Sequence, residues 1–214
     1  PDPRRPAPAM KLTDLEAAIR RHGGNFHCER VHDDTQEKTI AFVHHVTPPS
    51  GLEGVPDVGR LRDLYETVGS VVFYLDEKSG DAARHLAPPV EWEDLRASFL
   101  DWLDDLDEDE RDDLVPDWVD TCVVVGEVPH SGNYILVATE GPDAGRVFEF
   151  DHDGFEFTLQ GEDMVDYVEQ ILEPDPALLT NFASHMRFIE GDSNVQWWIV
   201  RMRDRDGRTV DTES

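Results

Sequence analysis

Residues 122–159 constrain the fold more than any other part of this chain. Four apolar runs follow one another there: CVVVGEVP (122–129), NYILVAT (133–139), GRVFEFD (145–151) and GFEFTL (154–159). Each is rich in β-branched and aromatic residues, the composition of strands. Parallel neighbours need a crossover of about a dozen residues or more, and no gap here is that long. The four runs are therefore expected to pair as an antiparallel meander.

Helical patterns lie on both sides of the meander. In KLTDLEAAIRRHGG, Leu12, Leu15 and Ile19 form one stripe, and Gly23-Gly24 ends it. Residues 58–69 and 162–172 are also amphipathic. After Pro88-Pro89 a long helix is expected, with Trp92, Leu95, Phe99, Trp102, Leu103 and Leu106 on one face. From Asp101 to Asp113 its other face is nearly all carboxylate, and Pro116 ends it. KTIAFVHHV (38–46), SVVFYL (70–75) and the stretch around Trp197 and Trp198 supply further strands. Helices before and after a block of strands predict an α+β fold. Its largely antiparallel central sheet carries flanking helices and no βαβ repeat. Residues 1–10 read as a flexible, Pro-rich lead-in and 11–214 as a single domain.

Charge narrows the partners. The net charge is −28, with three lysines, sixteen arginines and 28 aspartates. Such a surface repels nucleic acid and anionic lipid and attracts basic partners. A salt-rich host cytoplasm would select the same composition for solubility alone. No apolar run is long enough to cross a bilayer. The N-terminal residues lack the apolar segment of a signal peptide, so a cytoplasmic location is expected.

Chemistry-bearing motifs are sparse. Asp151-His152-Asp153-Gly154 joins two strands, and Asp and Gly are the residues a tight hairpin needs. The four aromatic residues Phe148, Phe150, Phe155 and Phe157 should share a buried face, with Glu149 and Glu156 outward. His22, His27, Cys28, His32, His44 and His45 cluster in sequence without metal-finger spacing. His44 and His45, adjacent on a strand, should point to opposite faces. There is no GxSxG, Walker loop or HExxH. His130 and Ser131 fit a loop, and Cys122 a buried strand position. No catalytic residue, metal or cofactor is expected. The acidic run suits a solvated face or a docking surface for a basic protein.

The order of PDWVDTCVVVGEVPHSGNYILVATEGPDAGRVFEFDHDGFEF and MVDYVEQIL resembles the SUKH superfamily, which contains fungal cell-wall assembly regulators and bacterial immunity proteins. Trp118, Gly126, Gly132, Asn133, Tyr134, Gly145, Val147, Phe148, Asp151, His152 and Asp153 carry the resemblance, which is strongest over 56–172. The insertion-like segment HLAPPVEWEDLRASFLDWLDDL and the tail after 173 depart from the family pattern. The resemblance implies a non-enzymatic protein-binding domain, and in bacterial members one that neutralises a toxin, often a nuclease. The expected contact residues are Asp104, Asp105, Asp107, Glu108, Asp109, Asp112, Asp113 and Trp118, with Trp102 the alternative aromatic anchor and a basic toxin domain as partner; core packing is the expectation for Trp92 and Trp102. The alternatives are a regulator or scaffold in a salt-adapted organism, and a metal-dependent hydrolase using the His/Cys cluster or Asp151 and Asp153.

Overall fold

The computed structural model describes residues 12–104, 106–186, 188 and 195–213. Its helices are α1 (Leu12–Arg21), α2 (Leu61–Thr67), α3 (Trp92–Leu103), α4 (Glu108–Leu114), α5 (Met164–Leu172) and α6 (Pro176–His185). The strands are β1 (Gly24–Arg30), β2 (Asp33–Thr47), β3 (Ser70–Leu75), β4 (Arg84–Leu86), β5 (Val123–Val128), β6 (Asn133–Val137), β7 (Val147–Asp151), β8 (Glu156–Gly161), β9 (Trp197–Asp204) and β10 (Thr209–Asp211). The expected α+β class with an antiparallel sheet is what the chain forms. From β1 to β8 each strand pairs with the next in sequence, and β9 returns to the free side of β1, giving the order β10-β9-β1-β2-β3-β4-β5-β6-β7-β8.

One strand links the two halves of this sheet. The first part of β2 pairs with β1, from Asp33 to Phe42. Its last part, Val43 to Thr47, pairs with β3 across a register shift between Val43 and His45. Irregular pairing of this kind bends a strand and re-aims its remaining residues. His44 is buried and His45 exposed, as their alternation required.

The meander is covered on both faces. Val124, Leu136, Phe148 and Phe150 face Phe99 and Leu103 of α3, together with Val119. Val125, Ile135, Val137 and Val147 face the other way, toward α5 residues such as Val168 and Ile171. Phe155 and Phe157 pack on the Phe148/Phe150 face, as the alternation predicted. Glu149 corrects the expectation. It does not point outward; it is 4% exposed on the opposite, helix-covered face. There its Oε2 accepts from Nη2 of the wholly buried Arg84 at 2.8 Å. Alternation only separates the two faces of a strand; it marks one as wet only when a single face is covered.

The long acidic helix is also corrected. It breaks after Leu103 and restarts at Glu108. Asp107 caps the second piece, accepting from the Glu110 amide at 2.9 Å, while the Glu110 carboxylate accepts from the Asp107 amide at 3.1 Å. The break gives Glu108, Asp109 and Glu110 the positive N-terminus of a new helix.

The loop before α2 meets the turn after β6 backbone to backbone. Gly59 has φ +49, and a Cβ there would lie 2.0 Å from the Gly145 carbonyl oxygen. Gly145 itself has φ +90. Only glycine allows both the left-handed backbone and the approach. The Gly59 carbonyl then accepts from the Met164 amide at 2.9 Å, which ties this loop to the start of α5.

Candidate functional site

The charge is concentrated in one place. Residues 101–120 hold eleven carboxylates and a single basic side chain, Arg111, so a tenth of the chain carries over a third of its net charge. Asp101, Asp104, Asp107, Glu108, Asp109, Glu110, Asp112, Asp113, Asp117 and Asp120 are all exposed. Arg111 donates to the Asp120 carboxylate at 3.0 Å. The structure therefore gathers most of the sequence-derived contact residues along α4 and the turns that flank it. Asp104 lies in the turn after α3, Asp107 caps α4, and Glu108, Asp109, Asp112 and Asp113 lie within it. Asp105 lies outside the described residues.

Trp118 sits in a short 3-10 turn, Asp117–Thr121, directly after this segment. Half-buried, its indole stacks on Phe148 with ring centroids 4.3 Å apart and meets Phe157 edge-on at 5.7 Å. The sheet thus holds the ring in place while one part stays accessible. A cleft of about 430 Å³ opens beside it, lined by Pro116, Asp117, Trp118, Glu140, Pro142 and Asp143 among others. Asp143 accepts from Arg146 at 2.9 Å. Asp117 and Glu140 have no ionic partner among the described residues. An aromatic face bordered by unpaired carboxylates is a setting for a guanidinium or ammonium group, which gains cation–π and ionic contact together. Glu140 and Asp143 escaped the sequence reading because they belong to the β6–β7 turn. The fold alone brings that turn to Trp118.

The other tryptophans are structural to different degrees. Trp92 is 5% exposed, donates to the Ala87 carbonyl at 3.0 Å and meets Tyr65 edge-on, so it is core as expected. Trp102 is half-buried and covers the ring of His152 at 4.6 Å.

The remaining candidates do not converge on a nucleophile. Burial pushes the Cys28 thiol up to about 12 and the Cys122 thiol up to about 11, the latter against the opposing pull of Arg96. Both are neutral thiols near pH 7, and neutral thiols are poor nucleophiles. The Ser131 hydroxyl donates to the Val128 carbonyl at 2.8 Å and accepts from the Asn133 amide, so it closes the β5–β6 turn. His22 and His44, 22 positions apart, are brought together with Nδ1 and Nε2 2.7 Å apart. His44 Nδ1 accepts from the Tyr74 amide at 2.9 Å, which places the proton on His44 Nε2 and makes His22 Nδ1 the acceptor. Burial holds both imidazoles below their ordinary range, His44 down to about 3. His27 faces outward beside Glu29 and Glu37 instead of joining them.

Compared with protein-family models, curated proteins and solved structures, the chain matches none of them. No helix among the described residues is long and apolar enough to cross a membrane.

Proposed function

We propose that this chain is a non-enzymatic binding protein that docks a basic protein on its α4 edge, with Trp118 as the anchor. Its role is that of an immunity protein covering a basic toxin domain, as the SUKH-like order of its motifs implies. The observation that carries the reading is the density of exposed carboxylates from Asp101 to Asp120 beside the Trp118 cleft. A charged patch of one sign steers an oppositely charged partner and raises its association rate, while a buried aromatic anchor slows release. A second reading, surface acidity that serves solubility in a salt-adapted host, is favoured by the capping work of Asp107 and Glu110, which needs no partner.

A labelled nona-arginine peptide separates these readings. Its association with the wild-type chain should be fast at low ionic strength and fall steeply with salt. The variant Asp107→Asn/Glu108→Gln/Asp109→Asn/Asp112→Asn/Asp113→Asn keeps a capping side chain at 107 and should associate about tenfold more slowly. A control that neutralises Glu53, Glu66, Glu77, Asp206 and Glu213, all exposed elsewhere, removes the same charge. Equal slowing in the two variants would mean that net charge alone attracts the peptide, and would reject a dedicated docking edge.

A further inference from the structure

The turn at 151–154 closes the β7–β8 hairpin, with Asp151 Oδ1 accepting from the Asp153 amide at 3.0 Å, and its His152 side chain is held from outside by a chain of hydrogen bonds whose direction can be assigned. The His152 backbone amide donates to Asn133 Oδ1 at 3.2 Å, so that atom of Asn133 is an acceptor. His152 Nδ1 lies 2.8 Å from the same oxygen and must therefore carry a proton. The Asn133 amide nitrogen, the donor, then faces His185 Nε2 at 3.4 Å. His185 Nδ1 lies 2.9 Å from the Asn181 carbonyl, which can only accept, so Nε2 is free to receive the Asn133 proton. Every assignment agrees, and Asn133 is wholly buried at the centre of the chain.

The consequence appears at the other end. With Nδ1 held by Asn133, Nε2 is the ring nitrogen left for an outside partner. That atom stands 3.2 Å from Asp153 Oδ1, and Asp151 offers a second carboxylate oxygen within 4.8 Å of both. Nε2 is thus aimed at a carboxylate oxygen, a position between the two that a proton or a metal cation would fill. The separation is also close to the roughly 3.3 Å edge of a tetrahedron with arms of about 2.0 Å, the length of zinc bonds to imidazole nitrogen and carboxylate oxygen. Metal-binding histidines typically donate their second ring nitrogen to a fixed acceptor, which sets the tautomer, and Asn133 does this here. Among the described residues the His27, Glu29 and Glu37 group has no such support: His27 makes its contact with Glu37 at 3.7 Å, and no hydrogen bond fixes its other nitrogen.

We propose that Asp151, His152 and Asp153 bind a divalent first-row transition cation, with His152 Nε2 as the anchoring ligand and the carboxylates completing the protein's share. Imidazole with carboxylate oxygen suits zinc or manganese better than calcium or magnesium, which take oxygen alone. This site is independent of the docking edge.

The test is calorimetric titration of the purified chain with ZnCl₂, with MgCl₂ present throughout to occupy the diffuse acidic surface. Wild type should show one saturable class of zinc site. His152→Ala should abolish it, Asp153→Asn should weaken it, and His27→Ala should leave it unchanged. Trp102, whose ring lies 4.6 Å from that of His152, should report binding in its emission; Trp102→Phe should lose that signal while keeping the heat. His185→Gln, which loosens Asn133 from a less buried position, should weaken binding about 10–100-fold, as loss of an orienting partner does. Equal uptake by wild type and His152→Ala would overturn the proposal, as would loss of binding in His27→Ala. The absence of any saturable zinc site would show that a proton alone satisfies Nε2. A nitrogen-15 spectrum of the metal-free protein with His152 protonated on Nε2 instead of Nδ1 would remove its premise.

Discussion

Replacing Glu149 with alanine leaves a guanidinium inside the protein with no counter-charge. Arg84 has no exposed surface, and Glu149 is 4% exposed. Arg84 Nη2 donates to Glu149 and also to Asn181 Oδ1, and Nη1 donates to the Ala83 carbonyl at 2.7 Å. The guanidinium lies over Phe182 at 5.1 Å, while its Nε finds no acceptor among the described residues. The two carbonyl acceptors cannot replace a full negative charge. Breaking one partner from such a pair costs about 3–5 kcal/mol, mostly because the other charge stays buried and uncompensated. For a chain of this size that is a loss of roughly 6–20 °C in melting temperature. Removing both charges should cost less. In Arg84→Met/Glu149→Leu no buried ion remains, and the main penalty is the loss of the Arg84 donors to the buried Ala83 carbonyl and the half-buried Asn181 oxygen, about 1–3 kcal/mol for the buried one. Urea unfolding of wild type, Glu149→Ala and the double variant measures all three. A single variant within about 1 kcal/mol of wild type, or a double variant less stable than the single, would refute this account.

Acid should weaken the histidine pair. The unfolded chain takes up these protons near the ordinary value of 6.5, and the folded chain resists because burial lowers both groups, His44 to about 3. Their contribution is whole above pH 6.5 and drains away as pH falls toward 3; by pH 4.5 the loss at His44 is about 2–3 kcal/mol. Urea midpoints across this range should show it, and His44→Gln should flatten the profile. Gly59→Ala should destabilise by about 2–4 kcal/mol, from its positive φ and its collision with Gly145, and thermal melting tests this. Trp92→Ala should cost about 3–5 kcal/mol as a core deletion. Trp118→Ala should cost clearly less in the same urea assay, yet speed release of the basic peptide; a purely structural Trp118 would leave release unchanged.

The meander was legible because its strands are consecutive and their gaps are short. α5 showed its apolar stripe, and the turn chemistry of Asp151 to Gly154 marked the hairpin. β1 was missed because GNFHCER offers just two inward apolar residues, Phe26 and Cys28, among polar ones. β4 has three residues, too few for any period. α6 did carry a signal, Asp175 at the cap and Pro176 in the first turn, but its moderate apolar stripe hid it. Glu149 misled because a strand with two covered faces can hide a charge on either. The acidic run could be read as a surface, and Trp118 as its neighbour. Glu140, Asp143 and the Asn133–His152 contact join residues far apart in sequence, and no local pattern encodes them.

The central claim is that the α4 edge binds a basic protein. The most direct measurement is capture from native-host lysate on immobilised wild type, the α4-neutralised variant and the variant neutralised elsewhere, washed at low and then moderate salt. The account predicts one basic protein retained in stoichiometric amount by wild type and by the variant neutralised elsewhere, and lost from the α4 variant. Retention of the same protein by all three, or of none by wild type, would contradict it.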